Sequence, residues 1–310
     1  MTFTRSTIIR LAVAVFVVVA IVFFVLALVA AWRESAALPS VWRLCAVAAL
    51  WVIGLVSAAA AWATLLGGTR RIDHGAASIV SQVAKYIPGG VWQASGQLGL
   101  ARSAGVQFQR GAVAFTVQAL MQAVAACTFG AVVALAWTDG ADWLRVLLAL
   151  ASVLSLALVD RRWMVWILHK IPRTRDASSD LVPTQRAILL TYIAGFVTIA
   201  TLGLGYLIVL GSFGSVDDPW LVVSAFAIAW LVGFLLVPLP SGLGAREAVL
   251  VAILHGTFPS SVLVAASVYQ RVVLIAIEGL LALIASHRVR PSRLRSTTAD
   301  AVRPDGDAIS

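Results

Sequence analysis

Charged residues are scarce in this chain. Only 12% of its 310 residues are Asp, Glu, Lys or Arg, whereas 61% are hydrophobic. A soluble protein needs a charged surface, and several apolar runs here exceed the roughly 18 residues that mark a bilayer span. The composition therefore argues against a soluble enzyme or binding module and predicts an all-α polytopic membrane protein.

Cysteine and histidine are rare as well. Cys45 and Cys127 both lie inside apolar runs, where a disulfide has no particular role, and the four histidines show no metal-ligand spacing. We therefore expect no metal site, no cofactor and no redox chemistry. No Ser, His or Asp near the breaks in the apolar sequence is arranged as a nucleophile with a base, so we do not expect an enzyme.

Long apolar runs recur along the chain. We predict six transmembrane helices, at residues 8–32, 41–67, 111–137, 143–160, 187–211 and 262–286. The first run is longer than the roughly 7 to 15 apolar residues of a cleavable signal peptide, so we expect it to be a retained helix. Tryptophans near the predicted ends fit rings that lie at the headgroup level. These are Trp32, Trp42, Trp137, Trp143, Trp163 and Trp166.

Basic residues are distributed unevenly between the two sets of loops. With the N-terminus inside, 17 of the 23 Lys and Arg residues lie on that side, whereas the opposite side has Arg33, Arg43 and Arg145. The positive-inside rule then predicts a protein of the plasma (inner) membrane with both termini in the cytoplasm. The net charge of +9 thus reflects mainly the basic residues of the loops predicted to be cytoplasmic. Because these residues are spread over several loops, no nucleic-acid partner is expected.

Two segments place Pro, Gly and charge inside otherwise apolar sequence, Ala84–Gly90 and Pro238–Glu247. Irregular backbone at bilayer depth survives only where protein or a water-filled cavity satisfies it. The loops that flank residues 76–104 are both cytoplasmic by charge, so we predict a re-entrant hairpin there. A second hairpin, residues 220–257, is predicted to enter from outside; the alternative is a seventh span followed by a short, tilted eighth helix.

The order helix, helix, hairpin, helix then occurs twice with opposite orientation. Residues 1–286 form one membrane domain, with repeat one at 8–137 and repeat two at 143–286, and residues 287–310 are predicted to be a polar, disordered cytoplasmic tail. Inverted repeats with discontinuous helices are the usual plan of secondary transporters. The repeat is inferred from topology alone.

Five charged residues lie within the predicted membrane segments: Lys85, Arg246, Glu247, Arg271 and Glu278. Each costs about 2.5 to 3.5 kcal/mol at a helix centre, so they must face inward, pair or meet water. Arg271 and Glu278 are seven residues apart and share a helix face about 10 Å apart. We expect Arg271 to reach Glu247, and Glu278 to meet Lys85 or Arg246.

The helix that follows each break is expected to point its N-terminus inward, where free N–H groups and the nearby bases would hold an anion such as phosphate. The predicted substrate-binding residues are Lys85, Tyr86, Pro88, Gly89, Gly90, Gln93, Gly242, Gly244, Arg246, Glu247, Arg271 and Glu278. Alternatively, Arg246 and Glu247 pair with other buried charges and only hold the hairpin in place. Glu278 would then belong to a static salt-bridge cluster.

Amides and small residues are also patterned on helix faces. The glutamine pairs Gln93/Gln97 and Gln118/Gln122 are each spaced i, i+4, and such stripes either contact a polar headgroup or hydrogen-bond across helix interfaces. The small residues Gly54, Ala58 and Ala61 are expected to serve packing.

The same breaks carry a family resemblance. The motifs Lys85-Tyr86-Ile87-Pro88-Gly89, Pro240-Ser241-Gly242-Leu243-Gly244-Ala245-Arg246-Glu247-Ala248 and Tyr269-Gln270-Arg271 occur in this order. They resemble the signatures of the lysylphosphatidylglycerol synthase transmembrane, or flippase-like, family over about residues 8 to 286. Ser241 and Ala245 depart from the family pattern, which often has Gly and Val there.

The resemblance implies a membrane module that moves lipids across the bilayer, aminoacylated phospholipids in some members. Related modules accompany polyprenyl-phosphate glycosylation systems. Only 24 residues follow Ser286, so we do not expect the soluble aminoacyl-transfer domain of the bifunctional members, or a synthase activity.

The leading hypothesis is therefore a lipid flippase whose substrate has an anionic headgroup, phosphate or polyprenyl-phosphate-linked. One alternative is an aminoacyl-phospholipid flippase. Another is a non-catalytic membrane partner of a glycosyltransferase or lipid synthase, docked through the basic loop Arg161–Arg186. An intramembrane transferase or phosphatase is less expected, because the breaks hold no catalytic constellation.

Overall fold

The structure is a computed structural model that describes residues 39–86, 92–137, 139–171, 174, 179–236 and 244–289. Over these ranges the chain is all-helical and contains no β-strand. The α-helices are α1 (Val41–Leu66), α2 (Arg71–Gln82), α3 (Trp92–Ser103), α4 (Phe108–Thr128), α5 (Gly130–Ala136), α6 (Asp142–Leu156), α7 (Arg161–Lys170), α8 (Gln185–Leu210), α9 (Pro219–Leu235), α10 (Ala245–Leu254) and α11 (Ser260–Ser286). Three short 3-10 helices are Val83–Tyr86, Ala157–Val159 and Ser179–Leu181.

Five described segments are long and apolar enough to cross a membrane. They are Val41–Leu66, Phe108–Ala136, Asp142–Val159, Gln185–Leu210 and Ser260–Ser286. These match five of the six predicted spans, with ends that differ by three residues or fewer, and so confirm a helical membrane protein. The predicted span at 8–32 and the tail beyond residue 289 lie outside the described residues, and the two repeats stay a prediction.

Polar residues at the helix starts explain why some helices begin before their apolar runs. The Thr184 hydroxyl accepts a hydrogen bond from the Ala187 backbone N–H at 3.3 Å, so α8 begins two residues earlier than predicted. Asp218 accepts from the Leu221 N–H at 3.0 Å, with Pro219 as the first helical residue of α9. Both arrangements satisfy backbone donors that the helix itself leaves free.

Helix α1 packs closely against α8. The Thr198 hydroxyl donates to the Gly54 carbonyl at 3.0 Å, and a Cβ added at Gly54 would lie 2.6 Å from the Thr201 hydroxyl. Ala58 and Ala61, on the same helix, are also buried. The prediction that Gly54 serves packing is confirmed, because only a small residue lets the two helix backbones come this close. The burial of Ala58 and Ala61 agrees with the same role.

A second close helix contact gives a stability prediction. A Cβ added at Gly203 of α8 would lie 2.8 Å from the Val223 carbonyl oxygen of α9, which is backbone and cannot rotate away. We expect Gly203→Ala to lower the free energy of unfolding by about 1 to 3 kcal/mol, measured by unfolding in detergent micelles. The matched control is Gly99→Ala, where an added Cβ meets no atom within 4 Å; it should be neutral or stabilising. Equal effects of the two variants would contradict this account of the interface.

The outer surface of α6 is apolar. Val146, Leu147, Leu150, Val153 and Leu154 are each more than half exposed. A continuous exposed apolar face of this kind suits contact with acyl chains, since its exposure to water would cost free energy. This supports the assignment of α6 as a lipid-facing span.

Helices α2 and α3 lie side by side and antiparallel. The Gln93 amide donates to the Gln82 side-chain oxygen at 3.2 Å, and the Gln97 amide donates to the Ser78 hydroxyl at 3.3 Å. Each helix has 12 residues and rises about 18 Å, too little to cross a bilayer. The outer ends of the pair meet, because residues 66–70 and 104–107 line one surface depression.

Helices α9 and α10 form the second pair, also with its outer ends together. A Cβ added at Gly214, just before α9, would lie 3.2 Å from the Phe258 ring, just after α10. Helix α10 has 10 residues, a rise of about 15 Å, and its first turn reaches Ser267 and Arg271 near the middle of the 27-residue α11. A short α10 agrees with the predicted hairpin and equally with the alternative of a seventh span followed by a short, tilted eighth helix. The placement of both pairs as re-entrant elements in a membrane stays a prediction.

Candidate functional site

Glu278, on α11, is fully buried and surrounded by donors. Its Oε1 accepts from the Lys85 ammonium at 2.6 Å and from the Trp51 indole N–H at 3.0 Å, while its Oε2 accepts from the Tyr86 hydroxyl at 2.9 Å. Lys85 and Tyr86 belong to the 3-10 helix that follows α2. The carboxylate therefore joins the first helix pair to both α1 and α11, and three hydrogen bonds offset the cost of its burial.

Glu247, in the first turn of α10, has a similar shell. Its Oε1 accepts from the Arg271 guanidinium and from the Ser267 hydroxyl, both at 3.0 Å, and its Oε2 accepts from the Gly244 backbone N–H at 2.8 Å. Gly244 has a φ of +80°, which a residue with a side chain rarely adopts, so the chain can turn there into α10. This carboxylate joins the second helix pair to α11.

Helix α11 thus carries a partner for each helix pair. Arg271 and Glu278 are seven residues apart, so they lie on nearly the same face, separated by about 10 Å along the axis. The predicted contact of Arg271 with Glu247 is present, and of the two partners predicted for Glu278 the structure shows Lys85.

Arg246 differs from the other four charged residues of the cluster, Lys85, Glu247, Arg271 and Glu278. None of the described carboxylates forms an ion pair with it, and its Nε is buried without a hydrogen-bond partner among the described residues. Its guanidinium lies within Coulombic range of Arg271, Glu247 and Glu278. The Nη1 of Arg271 is likewise buried and lacks a partner in the same part of the chain.

These orphan donors give the site its chemical character. A buried guanidinium N–H without an acceptor costs free energy, and it attracts any acceptor that reaches it. Arg246 also lies in the first turn of α10, where the helix dipole favours negative charge. The arrangement is therefore suited to binding an anion beside Arg246 and Arg271.

Ligand binding and static pairing remain the two alternatives for the charged residues of the cluster, and they differ in the partners that they expect. Glu247 and Glu278 each have a basic partner and further donors, as expected of structural counter-ions. Arg246 does not have such a shell, so pairing with a carboxylate does not account for it.

The glutamines serve packing for the most part. The Gln97 amide donates to the Gln118 side chain at 3.4 Å, and the Gln118 amide donates to the Ala58 carbonyl at 2.8 Å, which ties α3, α4 and α1 together. Gln93 bonds to Gln82, whose side-chain oxygen is also 3.5 Å from the Lys85 ammonium. Gln93 is therefore linked to the charged cluster by way of the Gln82 side chain.

Several predicted site residues cannot be placed. Pro88, Gly89, Gly90 and Gly242 lie outside the described residues. Among the residues that are described, no group of three or more His, Cys, Asp or Glu side chains is arranged to hold a metal ion.

Sequence reasoning missed two members of the cluster, Trp51 and Ser267. Trp51 also stacks under the Lys85 ammonium, which is 5.6 Å from the ring centroid. Its position in the middle of α1, away from the helix ends where Trp is usual in membrane proteins, was a usable signal. Ser267 lies one helical turn before Arg271, so it shares the face that meets Glu247.

Comparison of the chain with protein-family models, with curated proteins and with solved structures finds no match.

Proposed function

We propose that this chain is a transporter that moves a lipid with an anionic headgroup across the membrane, as a flippase does. The observation that carries the proposal is Arg246, a charged side chain inside an apolar helical bundle with an orphan donor and no carboxylate partner among the described residues. Retaining such a group is costly, and intramembrane charges typically mark substrate pathways.

The surroundings of the cluster favour a lipid over a soluble anion. Helix α11, which carries Arg271 and Glu278, also exposes the apolar side chains of Val272, Ile275 and Leu283. A headgroup held on the inner face of α11 would therefore leave its acyl or prenyl chain next to an apolar surface. This division of one helix between polar and apolar faces matches the two parts of a lipid.

The two helix pairs support movement as well as binding. The outer ends of α2 and α3 meet at the end of the molecule near Leu66 and Arg70, whereas those of α9 and α10 meet at the end near Gly214 and Phe258. Both pairs reach α11 near its middle. Broken elements that approach one central site from opposite ends are typical of alternating access.

The sequence motifs at Lys85, at Arg246 and at Arg271 add the resemblance to the flippase-like family, whose members act on aminoacylated phospholipids or accompany polyprenyl-phosphate glycosylation. Under the proposal, Arg246 and Arg271 bind the headgroup. Glu247 and Glu278 hold Arg271 and Lys85 in position.

Reconstituted vesicles test the proposal. Purified protein is incorporated into vesicles that carry a lipid labelled on its phosphate headgroup, and translocation is followed by chemical quenching from outside. Wild type should translocate the label faster than protein-free vesicles, and Arg246→Ala should be slow. The matched control is Arg186→Ala, an exposed arginine at the start of α8, which should behave as wild type. Equal rates for wild type and Arg246→Ala would contradict the proposal.

The proposed orientation is tested by labelling. His255 is exposed just after α10, so His255→Cys should react with an impermeant thiol reagent from outside the cell, whereas Ser103→Cys at the opposite end should react only from the cytoplasm. The background needs Cys45→Ala, because Cys45 is itself exposed, together with Cys127→Ala. Labelling of His255→Cys only from the cytoplasm would overturn the orientation of the second helix pair.

A further inference from the structure

The charges buried in the membrane part of the chain do not cancel. Lys85, Arg246 and Arg271 are cationic and Glu247 and Glu278 are anionic, which leaves one positive charge. The undescribed segments 11–32, 87–91 and 237–243 contain no Asp, Glu, Lys or Arg, so they do not alter this balance. The other described Asp, Glu, Lys and Arg residues lie in loops, in a 3-10 helix or in the end turns of α-helices.

The ion pairs show where the excess charge lies. Lys85 pairs with Glu278 at 2.6 Å, and Arg271 pairs with Glu247 at 3.0 Å. Arg246 is then the cation without a carboxylate within the described part of the chain, and its Nε lacks an acceptor there. The single excess positive charge therefore resides at Arg246, within Coulombic range of Arg271.

We infer that the site takes a lipid whose headgroup has one negative charge, a phosphodiester, and that it discriminates against dianionic phosphomonoesters and diphosphates. This inference rests on the proposed function and narrows its substrate class. A monoanion brings the buried cluster to neutrality. A dianion leaves an uncompensated negative charge in a medium of low dielectric constant, where it is far more costly than in water.

Two guanidinium groups can hold a phosphodiester. This group spreads its single charge over two non-bridging oxygens, and Arg246 and Arg271 each have a buried N–H without an acceptor among the described residues. Glycerophospholipids with a second alcohol on the phosphate, and prenol-linked sugar phosphates, both meet this requirement; prenyl diphosphates do not.

The test compares two lipids with identical tails on the purified full-length protein in neutral detergent. Dioctanoyl phosphatidylglycerol is the phosphodiester probe and dioctanoyl phosphatidic acid the phosphomonoester probe. At about pH 8 phosphatidic acid is largely dianionic, and we expect it to bind at least about tenfold more weakly than phosphatidylglycerol. At about pH 5.5 it is largely monoanionic, because the second pKa of a phosphomonoester is about 6, and the difference should vanish.

The phosphatidylglycerol arm also controls for the protein. It keeps one charge over this pH range, so any change in its affinity reports a change in the protein itself, where Lys85, Tyr86, Glu247 and Glu278 are the charged or titratable groups around the two arginines. The phosphatidic acid result is read relative to it.

Charge-shifting variants separate charge balance from local contacts. Glu278→Gln raises the net charge of the cluster by one and should move the preference at about pH 8 toward phosphatidic acid. The double variant Lys85→Gln/Glu278→Gln returns the net charge to that of wild type and should restore the preference for phosphatidylglycerol. The wild-type pH comparison needs no variant, so the test survives if either protein fails to fold.

The outcomes are distinct. Equal affinity for the two lipids at about pH 8 overturns this inference and leaves the proposed function standing. Binding of neither lipid overturns both. Dimethyl phosphate, the same phosphodiester without a tail, is included as a competitor; if it competes as well as phosphatidylglycerol, the site takes a free anion and the lipid assignment is overturned.

Discussion

Glu278→Gln is expected to lower the free energy of unfolding by about 2 to 3 kcal/mol. The amide keeps the size and one acceptor oxygen of the carboxylate but removes the negative charge 2.6 Å from the Lys85 ammonium. Breaking a fully buried pair typically costs about 3 to 5 kcal/mol; the effect here is smaller because Lys85 is 24% exposed and water screens part of its charge. Equilibrium unfolding in mixed detergent micelles measures it.

A double-mutant cycle identifies the cause. Lys85→Gln/Glu278→Gln removes both charges, so it should recover at least half of the stability lost in Glu278→Gln. If the double variant is less stable than either single variant, the hydrogen bonds from Trp51 and Tyr86 are the larger contribution and the ion pair is secondary.

Arg246→Gln should separate stability from transport. Because no described carboxylate pairs with Arg246 and the Arg271 guanidinium repels it, removing its charge should leave the free energy of unfolding unchanged or slightly higher. Transport should fall roughly 10- to 150-fold, the equivalent of about 1.5 to 3 kcal/mol for a hydrogen bond to a charged group. Vesicle translocation and micelle unfolding are measured on the same preparation.

Arg271→Gln is the matched comparison. It removes the partner 3.0 Å from Glu247, so it should lower both stability and transport. If Arg246→Gln destabilises the protein as much as Arg271→Gln does, Arg246 is a structural residue. The proposed headgroup contact would then be wrong.

Much of the fold could be predicted from the sequence, because the length of an apolar run is a local property of the chain with a direct physical meaning. A continuous apolar run must be long enough to cross a bilayer, so five spans were placed within three residues at each end. The residues missed at the start of α8 are Gln185 and Arg186, polar residues that follow the Thr184 cap and that hydropathy does not count as helix.

The two ion pairs could be predicted from the sequence for a related reason. Charges within apolar segments are so few that partners are nearly determined by elimination, as for Arg271 with Glu247. For Glu278 the sequence left Lys85 and Arg246 open, since helix spacing does not say how the two helix pairs are positioned around α11.

Neutral polar partners were not accessible in this way. Many Ser, Thr and Trp residues occur in the membrane segments, and the positions of Trp51 and Ser267 on their helices, although informative, do not identify the carboxylate to which each one donates. Their roles depend on which helix faces meet, a property of packing. The same holds for Gln97 and Gln118, where the sequence allowed headgroup contact and the structure shows interhelical hydrogen bonds.

The position of both ion pairs on α11 has a mechanical consequence. Because Arg271 and Glu278 belong to one continuous helix, a rotation or axial shift of α11 changes the distance to Glu247 and the distance to Lys85 in the same movement. The free energies of the two contacts are then coupled even though no atom is shared between them. A substitution that loosens one helix pair should therefore alter solvent access at the opposite end of the molecule.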